Sequence, residues 1–354
     1  IKLTVQKART SGVMMAQLMQ EYDHEMACLV LRIPESAASD ESFAYTIAQA
    51  TYETSAGSNT FVGTPQKVSL ETVYRISAEP TILIGQQTKL HVTDRNGNPQ
   101  ARAEVFCGAQ SLGKTGPDGV LKYTFNEAGL KTIHAVKDGS RSQEAKAIVC
   151  TKPDEAQGNP FGVQNNAVDN ASTAQSITWL SSIDNSKPTA VVRYAETADL
   201  TGAKKVSGTS ALQFFVQGTS GDALRCNTVS LSGLMPGTQY YYQVGDGEKW
   251  SEVYHFTTDT AKAEQTNFFI LGDIQTSETS NLSAALSQLK NGSYAFGIQT
   301  GDAIDGPTRF YEWRTFFSQM NSGKLNGVNI FHALGNHEYN GDAEGAISKN
   351  IFNL

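Results

Sequence analysis

The chain has 354 residues, of which 39% are apolar and only 18% are charged. This is the composition of a folded protein with two or three domains, and it excludes a mostly disordered, collagen-like or disulfide-scaffold chain. The formal net charge is −7, so a basic footprint for nucleic acid is missing and docking on an anionic membrane is disfavoured. No stretch approaches the roughly 18 apolar residues that a membrane helix needs, so we predict no transmembrane segment.

Residues 1–74 have the least regular pattern in the chain. Four side chains are spaced like two turns of a helix: Met14, Met15, Leu18 and Met19. The runs Ile1–Val5 and Leu29–Ile33 alternate between apolar and polar residues, as strands do. We predict an accessory β-rich region here that does not make up a complete domain.

Residues 75–151 alternate between strand-like runs and turns at about ten-residue intervals, which predicts an all-β sandwich. The order of turns and strands resembles immunoglobulin-like modules of bacterial surface and secreted proteins, and this resemblance implies a secreted or cell-surface location. Cys107 and Cys150 each end a strand-like run in this region. They could form a disulfide in an exported protein or remain buried free thiols.

Residues 152–260 are predicted to form a linker, a leading edge strand and a second sandwich. The run Leu234–Val244 reads L-x-P-G-T-x-Y-Y-Y-x-V, and Trp179 lies on an earlier strand. These features resemble a fibronectin type III module over about 165–258, which implies that Trp179 fills its core. The three consecutive tyrosines could form a carbohydrate-stacking surface, but a strand with Tyr240 and Tyr242 on one face is favoured.

The periodicity changes in residues 265–354 and predicts β-α-β-α-β. The predicted elements are strands at Asn267–Leu271, Tyr294–Thr300 and Val328–Leu334, and helices at Asn281–Lys290 and Arg309–Met320. The first strand is continuously apolar, which predicts burial on both faces.

Each of these three strands is followed by a glycine and then a polar side chain: Asp273, Asp302, or the pair Asn336-His337. Parallel strands joined by right-handed crossovers bring their carboxyl ends to one edge of the sheet. Two carboxylates, an amide oxygen and an imidazole would therefore converge. Such a donor set suits Mn, Fe or Zn.

The motifs GD-x-Q, GD-x-x-D and GNHE, in this order, resemble the calcineurin-like metallophosphoesterase superfamily, and the preceding fibronectin-like module resembles its purple acid phosphatase branch. The resemblance implies two divalent or trivalent metal ions (Fe, Zn or Mn) and a phosphate ester substrate hydrolysed by a metal-activated hydroxide. It also implies that Asp273 binds the first metal, Asp302 bridges both and Asn336 binds the second. His337 would reach the phosphoryl group.

The chain departs from the family pattern in three ways that affect these implied roles. Gln275 occupies a position that often holds histidine, so it is either a weak ligand or a neighbour of the ligands. Asp305 stands where the iron-binding tyrosine of purple acid phosphatases would be; we therefore expect no iron-tyrosinate colour, with Asp305 orienting a ligand or a loop. The family's later histidines are missing, so we expect a longer natural protein and little activity from this fragment.

Two classes of function follow from the sequence. The favoured one is an exported metal-dependent phosphoesterase whose β modules position the enzyme or shape its substrate entrance. The alternative is a cell-surface interaction protein in which the immunoglobulin-like modules contact a surface or a glycan and the catalytic domain is degenerate. No nucleic acid is expected as a structural partner in either case.

Overall fold

The structure of the protein is a computed structural model. It describes six backbone strands before residue 74, and then residues 74–153, 160–183, 189–260, 265–275, 279–289, 291–322, 325 and 327–354. Two compact units are present. One holds the described residues up to Ala78 with Lys89–Tyr123 and Thr132–Ala145, and the other holds Glu79–Thr88, Thr124–Lys131 and the described residues of Lys146–Leu354.

The regular elements among the described residues before position 151 are all strands. In chain order these are β1 (Ala16–Gln20), β2 (Ala27–Leu31), β3 (Ser42–Tyr45), β4 (Ala50–Thr54), β5 (Gly57–Phe61), β6 (Gln66–Ser69), β7 (Arg75–Ser77), β8 (Thr81–Leu83), β9 (Gln87–Thr93), β10 (Glu104–Cys107), β11 (Gln110–Lys114), β12 (Val120–Thr124), β13 (Gly129–Lys137), β14 (Ser140–Arg141) and β15 (Ala145–Cys150).

The first six strands pair antiparallel as β1–β2, β3–β6 and β4–β5. A β-rich N-terminal region was predicted, and the described strands agree with it. The helical interpretation of the methionine cluster is wrong for Leu18 and Met19, because both lie in β1 and pair with β2. Met14 and Met15 lie outside the described residues.

Residues 75–151 are all β, as predicted. In the first unit, β10 pairs antiparallel with β11 and β13, and β7 pairs antiparallel with β9. In the second unit, β15 pairs parallel with β8. Cys107 and Cys150 are free thiols, and of the two only Cys150 is buried, whereas Cys107 is half-buried. The alternative of buried free thiols therefore holds for Cys150 and only in part for Cys107.

Residues 160–258 form a sandwich of seven strands. They are β16 (Phe161–Asn166), β17 (Ala174–Ser181), β18 (Ala190–Ala195), β19 (Lys204–Gln217), β20 (Ser220–Ser232), β21 (Gln239–Gly245) and β22 (Tyr254–Thr257). Trp179, Tyr240 and Tyr242 are buried in its core, with Val192 and Phe256 among their neighbours. The predicted core role of Trp179 is confirmed, and so is the strand with Tyr240 and Tyr242 on one face.

The final part alternates strands and helices. Its elements are β23 (Phe268–Leu271), α1 (Thr279–Leu289), β24 (Phe296–Gln299), α2 (Phe310–Ser322), β25 (Asn329–His332), a 3-10 helix (His337–Tyr339) and α3 (Ala346–Phe352). The three strands are parallel in the order β25-β24-β23. The predicted β-α-β-α-β succession is confirmed, and α3 is an additional helix. None of the helices in the described segments is long and apolar enough to cross a membrane.

One ten-stranded sheet runs through the sandwich and the parallel strands. The connection is β16, which pairs antiparallel with β17 on one side and parallel with β25 on the other. The prediction of a leading edge strand is therefore wrong: β16 lies inside the sheet, and Gly162 to Asn166 are buried. It can occupy this place because both of its edges find hydrogen-bonding partners.

The sandwich and the helices also share one hydrophobic core. Phe215 of β19 lies against Phe310 of α2, with ring centroids 5.4 Å apart. Trp313 of α2 meets Phe352 of α3 at 5.4 Å. Leu180 of β17 belongs to the same cluster. Residues 152–260 and 265–354 were predicted as separate domains; these boundaries stay predictions, but the two segments pack as one body.

The helices cover one face of the parallel strands, where Phe269 and Leu271 are buried. On the opposite face Phe268, Ile270 and Phe331 are 49%, 58% and 47% exposed. The prediction that the first strand is buried on both faces is thus wrong for the described residues. Its side chains alternate between covered and uncovered positions.

Candidate functional site

Three polar corners lie at one edge of the parallel sheet. Asp273 follows β23, Asp302 follows β24, and Asn336 with His337 follows β25. Because the three strands are parallel neighbours, all three corners lie at the same end of the sheet. The sequence predicted this arrangement from the positions of the strands.

The first two corners share an unusual backbone conformation. Asp273 and Asp302 have φ angles of 53° and 56°, a left-handed conformation that costs a non-glycine residue about 1–2 kcal/mol. Backbone hydrogen bonds join these corners: the amide of Asp273 donates to the carbonyl of Gly301 at 3.3 Å, and the amide of Ile274 donates to the carbonyl of Asp302 at 3.0 Å. The two loops therefore support each other.

The carboxylate of Asp302 connects all three loops. Its Oδ1 accepts a hydrogen bond from the backbone amide of His337 at 3.0 Å. Gln275 Nε2 lies 3.5 Å from Oδ2, at the long limit of a hydrogen bond. A Cβ on Gly335 would lie 2.2 Å from Oδ1, so the glycine that precedes Asn336 makes room for this carboxylate. Asp302 thus occupies the centre of the site.

A buried glutamate, not among the predicted site residues, fixes the loops around Asp302. Glu338 has 0% exposure. Its Oε2 accepts hydrogen bonds from the amides of Asp302 at 2.8 Å and Gly335 at 2.7 Å, and its Oε1 accepts one from Ala303 at 2.8 Å. The GNHE motif contains this residue, but the motif alone does not indicate that its side chain accepts hydrogen bonds from backbone amides. Glu338 is the buried residue of the 3-10 helix His337–Tyr339, so its burial follows from the position of that helix.

A second buried glutamate, Glu312 of α2, holds the loop that contains Asp305. Its Oε2 accepts hydrogen bonds from the amides of Asp305 at 2.7 Å and Gly306 at 2.9 Å, and its Oε1 pairs with Arg309. This loop faces His337, whose Nδ1 lies 3.2 Å from the carbonyl oxygen of Asp305 and 4.0 Å from its Oδ1. Asp305 therefore lies against the imidazole.

The predicted site residues are brought together to different degrees. Direct side-chain contacts or hydrogen bonds link Gln275, Asp302, His337 and Asp305. Asp273 joins them through its backbone only, and its side chain is exposed. Asn336 is also exposed and precedes the 3-10 helix, but its side chain makes no capping hydrogen bond there.

The donor set at the sheet edge matches part of the metal centre that the resemblance implies. Carboxylate and amide oxygens are ligands for hard or intermediate cations, so the chemistry of Asp273, Asp302 and Asn336 fits such an ion. Within the described ranges, however, no group of three or more His, Cys, Asp and Glu side chains is placed to hold a metal. The residues present thus fit part of a ligand shell.

His332, at the end of β25, is half-buried, and both of its ring nitrogens are buried. It stacks on Phe352 of α3, and no hydrogen-bond partner for either ring nitrogen exists among the described residues. Burial lowers its pKa from the usual value to about 3. The ring is therefore neutral and serves packing against Phe352.

Comparison with known proteins adds to this geometry. The family model of the purple acid phosphatase N-terminal domain matches residues 160–258. The chain is similar to acid phosphatase type 7 of Danio rerio, at 26% identity over 159 residues, covering 45% of this chain. The chain spans 33% of the length of that relative.

Two solved structures show weak similarity. The structure of PhoD covers 51% of this chain and 40% of its own, at 14% identity and a TM-score of 0.40. The fibronectin(III)-like modules of Clostridium thermocellum CbhA cover 55% of this chain and 98% of their own, at 14% identity and a TM-score of 0.25. Residues 160–258 are thus similar to the N-terminal domain of purple acid phosphatases, and part of the chain is similar to an acid phosphatase.

Proposed function

We propose that the chain belongs to an exported metal-dependent phosphoesterase, and that the edge of the parallel sheet contributes to its active site. The observation that carries this proposal is the hydrogen-bonded contact of three loops around the Asp302 carboxylate. A carboxylate at the meeting point of three strand ends is well placed to bridge two cations. The similarity to an acid phosphatase supports a phosphate ester as the substrate.

The chain's own residues would have distinct roles in this site. Asp302 would bridge the metals, Asp273 and Asn336 would each bind one of them, and Gln275 would be a weak ligand beside Asp302. The metal pair would supply Lewis acidity and an activated water. His337, held against the Asp305 loop, would contact the phosphoryl group and either stabilise its charge or protonate the leaving oxygen.

The experiment is hydrolysis of p-nitrophenyl phosphate by the full-length gene product, with Mn, Fe or Zn supplied. The wild type is compared with Asp302→Ala, and Glu344→Ala removes an exposed carboxylate as a matched control. We expect the Asp302 variant to lose at least about 100-fold in rate. Turnover that survives in this variant would contradict the proposed site.

A cell-surface interaction protein is the second candidate, favoured by Gln275 at a position where the family often has histidine. This hypothesis predicts no hydrolysis of p-nitrophenyl phosphate with any metal. It also predicts that Asp302→Ala leaves partner or glycan binding by the β modules unchanged.

Asp305 gives a separate test of the phosphoesterase proposal, because it stands at the position of the iron-binding tyrosine. We therefore expect the iron-loaded phosphoesterase to show no tyrosinate absorption band.

A further inference from the structure

Glu338 has an unusual environment for a buried carboxylate. The side chain is fully buried, and among the described residues no cation forms an ion pair with it. A buried carboxylate is costly unless charge-assisted hydrogen bonds compensate for the water it has lost. Here the compensation comes from three backbone amides, at 2.7–2.8 Å.

These amides belong to the two loops that supply the central ligands of the proposed site. Asp302 and Ala303 form the corner after β24, whereas Gly335 directly precedes Asn336. One oxygen, Oε2, accepts from both loops at once, so it fixes the distance between them. The same loops are joined again by the hydrogen bond from the His337 amide to Asp302 Oδ1.

We propose that Glu338 is a positioning residue that sets Asp302 and the Asn336-His337 pair in the geometry needed to bind metal. This inference rests on the proposed function. Glu338 would touch neither metal nor substrate; it would act through the backbone, by holding Asp302 in its left-handed conformation. Outer residues that orient metal ligands typically change metal affinity by about 10–100-fold when they are replaced.

Glu338→Gln is the most informative variant because it preserves size. A carboxamide has one acceptor oxygen, so its NH2 group must face at least one of the three backbone donors. Two controls separate this effect from others. Glu344→Gln removes an exposed charge, and Glu312→Gln alters the other buried glutamate, which holds Asp305 and Gly306 instead.

Two measurements are made on each variant of the full-length gene product. Hydrogen exchange reports the amides of Asp302, Ala303 and Gly335, and the Mn²⁺ electron paramagnetic resonance signal reports the dissociation constant for Mn²⁺. In Glu338→Gln we expect exchange of these amides to rise by about tenfold or more and Mn²⁺ affinity to fall by about 10–100-fold. Glu344→Gln should change neither the hydrogen exchange nor the Mn²⁺ affinity. Glu312→Gln should raise the hydrogen exchange of the amides of residues 305 and 306.

Unchanged exchange at the three amides would overturn the proposal, and so would looser amides with unchanged Mn²⁺ affinity, which indicate a purely structural role. The wild type could also fail to bind Mn²⁺ while exchange in Glu338→Gln rises as expected. That result would count against the proposed metal site, but not against the role of Glu338 in holding the two loops together. If Glu338→Gln fails to fold, Glu338→Asp takes its place. It keeps the charge but is one methylene shorter, and we expect intermediate values of both quantities.

Discussion

The imidazole of His332 lies flat against the phenyl ring of Phe352, with centroids 3.8 Å apart and planes 6° apart. His332 ends the strand that leads to Asn336 and His337, and Phe352 lies in the last turn of α3. The stacking therefore fastens the final helix to the strand behind the candidate site. It does so with a neutral ring, because burial lowers the pKa of His332 to about 3.

This contact predicts a dependence of stability on pH. In the unfolded chain a histidine has a pKa of about 6.5, so between about pH 6.5 and pH 3 the unfolded state binds a proton that the folded state rejects. The stabilisation is complete above the unfolded pKa and is lost as the pH falls, by up to about 2 kcal/mol at pH 5. Urea unfolding at pH 7 and pH 5 measures this loss.

His332→Phe keeps a ring on Phe352 and removes the titration. The free energy of unfolding should then fall less between pH 7 and pH 5 than in the wild type, by up to about 2 kcal/mol. His91→Gln, at an exposed position of β9, is the control and should leave the wild-type pH dependence in place. Equal pH dependence in His332→Phe and the wild type would refute the assignment of this loss to His332.

The consecutive tyrosines of β21 allow a comparison of two hydroxyl groups on one strand. The hydroxyl of Tyr242 is buried and donates to Asn165 Oδ1 at 3.0 Å, whereas that of Tyr241 donates to the exposed Gln239 at 3.1 Å. We expect Tyr242→Phe to lower the free energy of unfolding by about 1–3 kcal/mol, because a buried acceptor loses its partner. Tyr241→Phe should change it by less than about 0.5 kcal/mol. Denaturant unfolding compares them, and equal effects would argue against the buried hydrogen bond.

The cysteines should differ in reactivity. Burial raises the pKa of Cys226 to about 12, and burial with the nearby Asp222 charge raises that of Cys150 to about 11. At pH 8 both thiols are therefore almost entirely protonated. Iodoacetamide should modify the half-buried Cys107 well before either of these two in the native protein. Peptide mapping by mass spectrometry identifies the order, and a Cys107–Cys150 disulfide in the native protein would contradict the free thiols.

The candidate site was predictable to the extent that it depends on strand ends. Asp273, Asp302, Asn336 and His337 each follow a strand whose apolar run ends at a glycine, and local pattern and spacing are sufficient to find them. Glu338 was not predictable in its role. Its side chain accepts hydrogen bonds from amides of a loop 36 residues away in sequence, and no local pattern indicates such a contact.

The sandwich was likewise predictable only in part. The strands of Trp179 and Tyr240 alternate clearly, and their core positions follow from the sequence. The hairpin of β19 and β20 was not predicted, because much of β19 is polar and exposed, with irregular burial along the strand. For β16, the glycine and proline content around it suggested an edge, yet pairing with β25 places it inside the sheet. Pairing between distant strands is decided by tertiary structure and not by propensity.

The pairing of Asn165 and Asn166 with Asn329 and Ile330 has a consequence for inheritance. A module tethered by a flexible linker can be deleted, duplicated or shuffled between genes at little cost to its neighbour. A module whose first strand completes the sheet of the next one is harder to lose. Its loss would leave β25 with an open edge and would remove Leu180, Phe215, Leu224 and Cys226 from the core shared with the helices. We therefore expect the sandwich and the parallel strands to be gained and lost together across genomes, as one evolutionary unit.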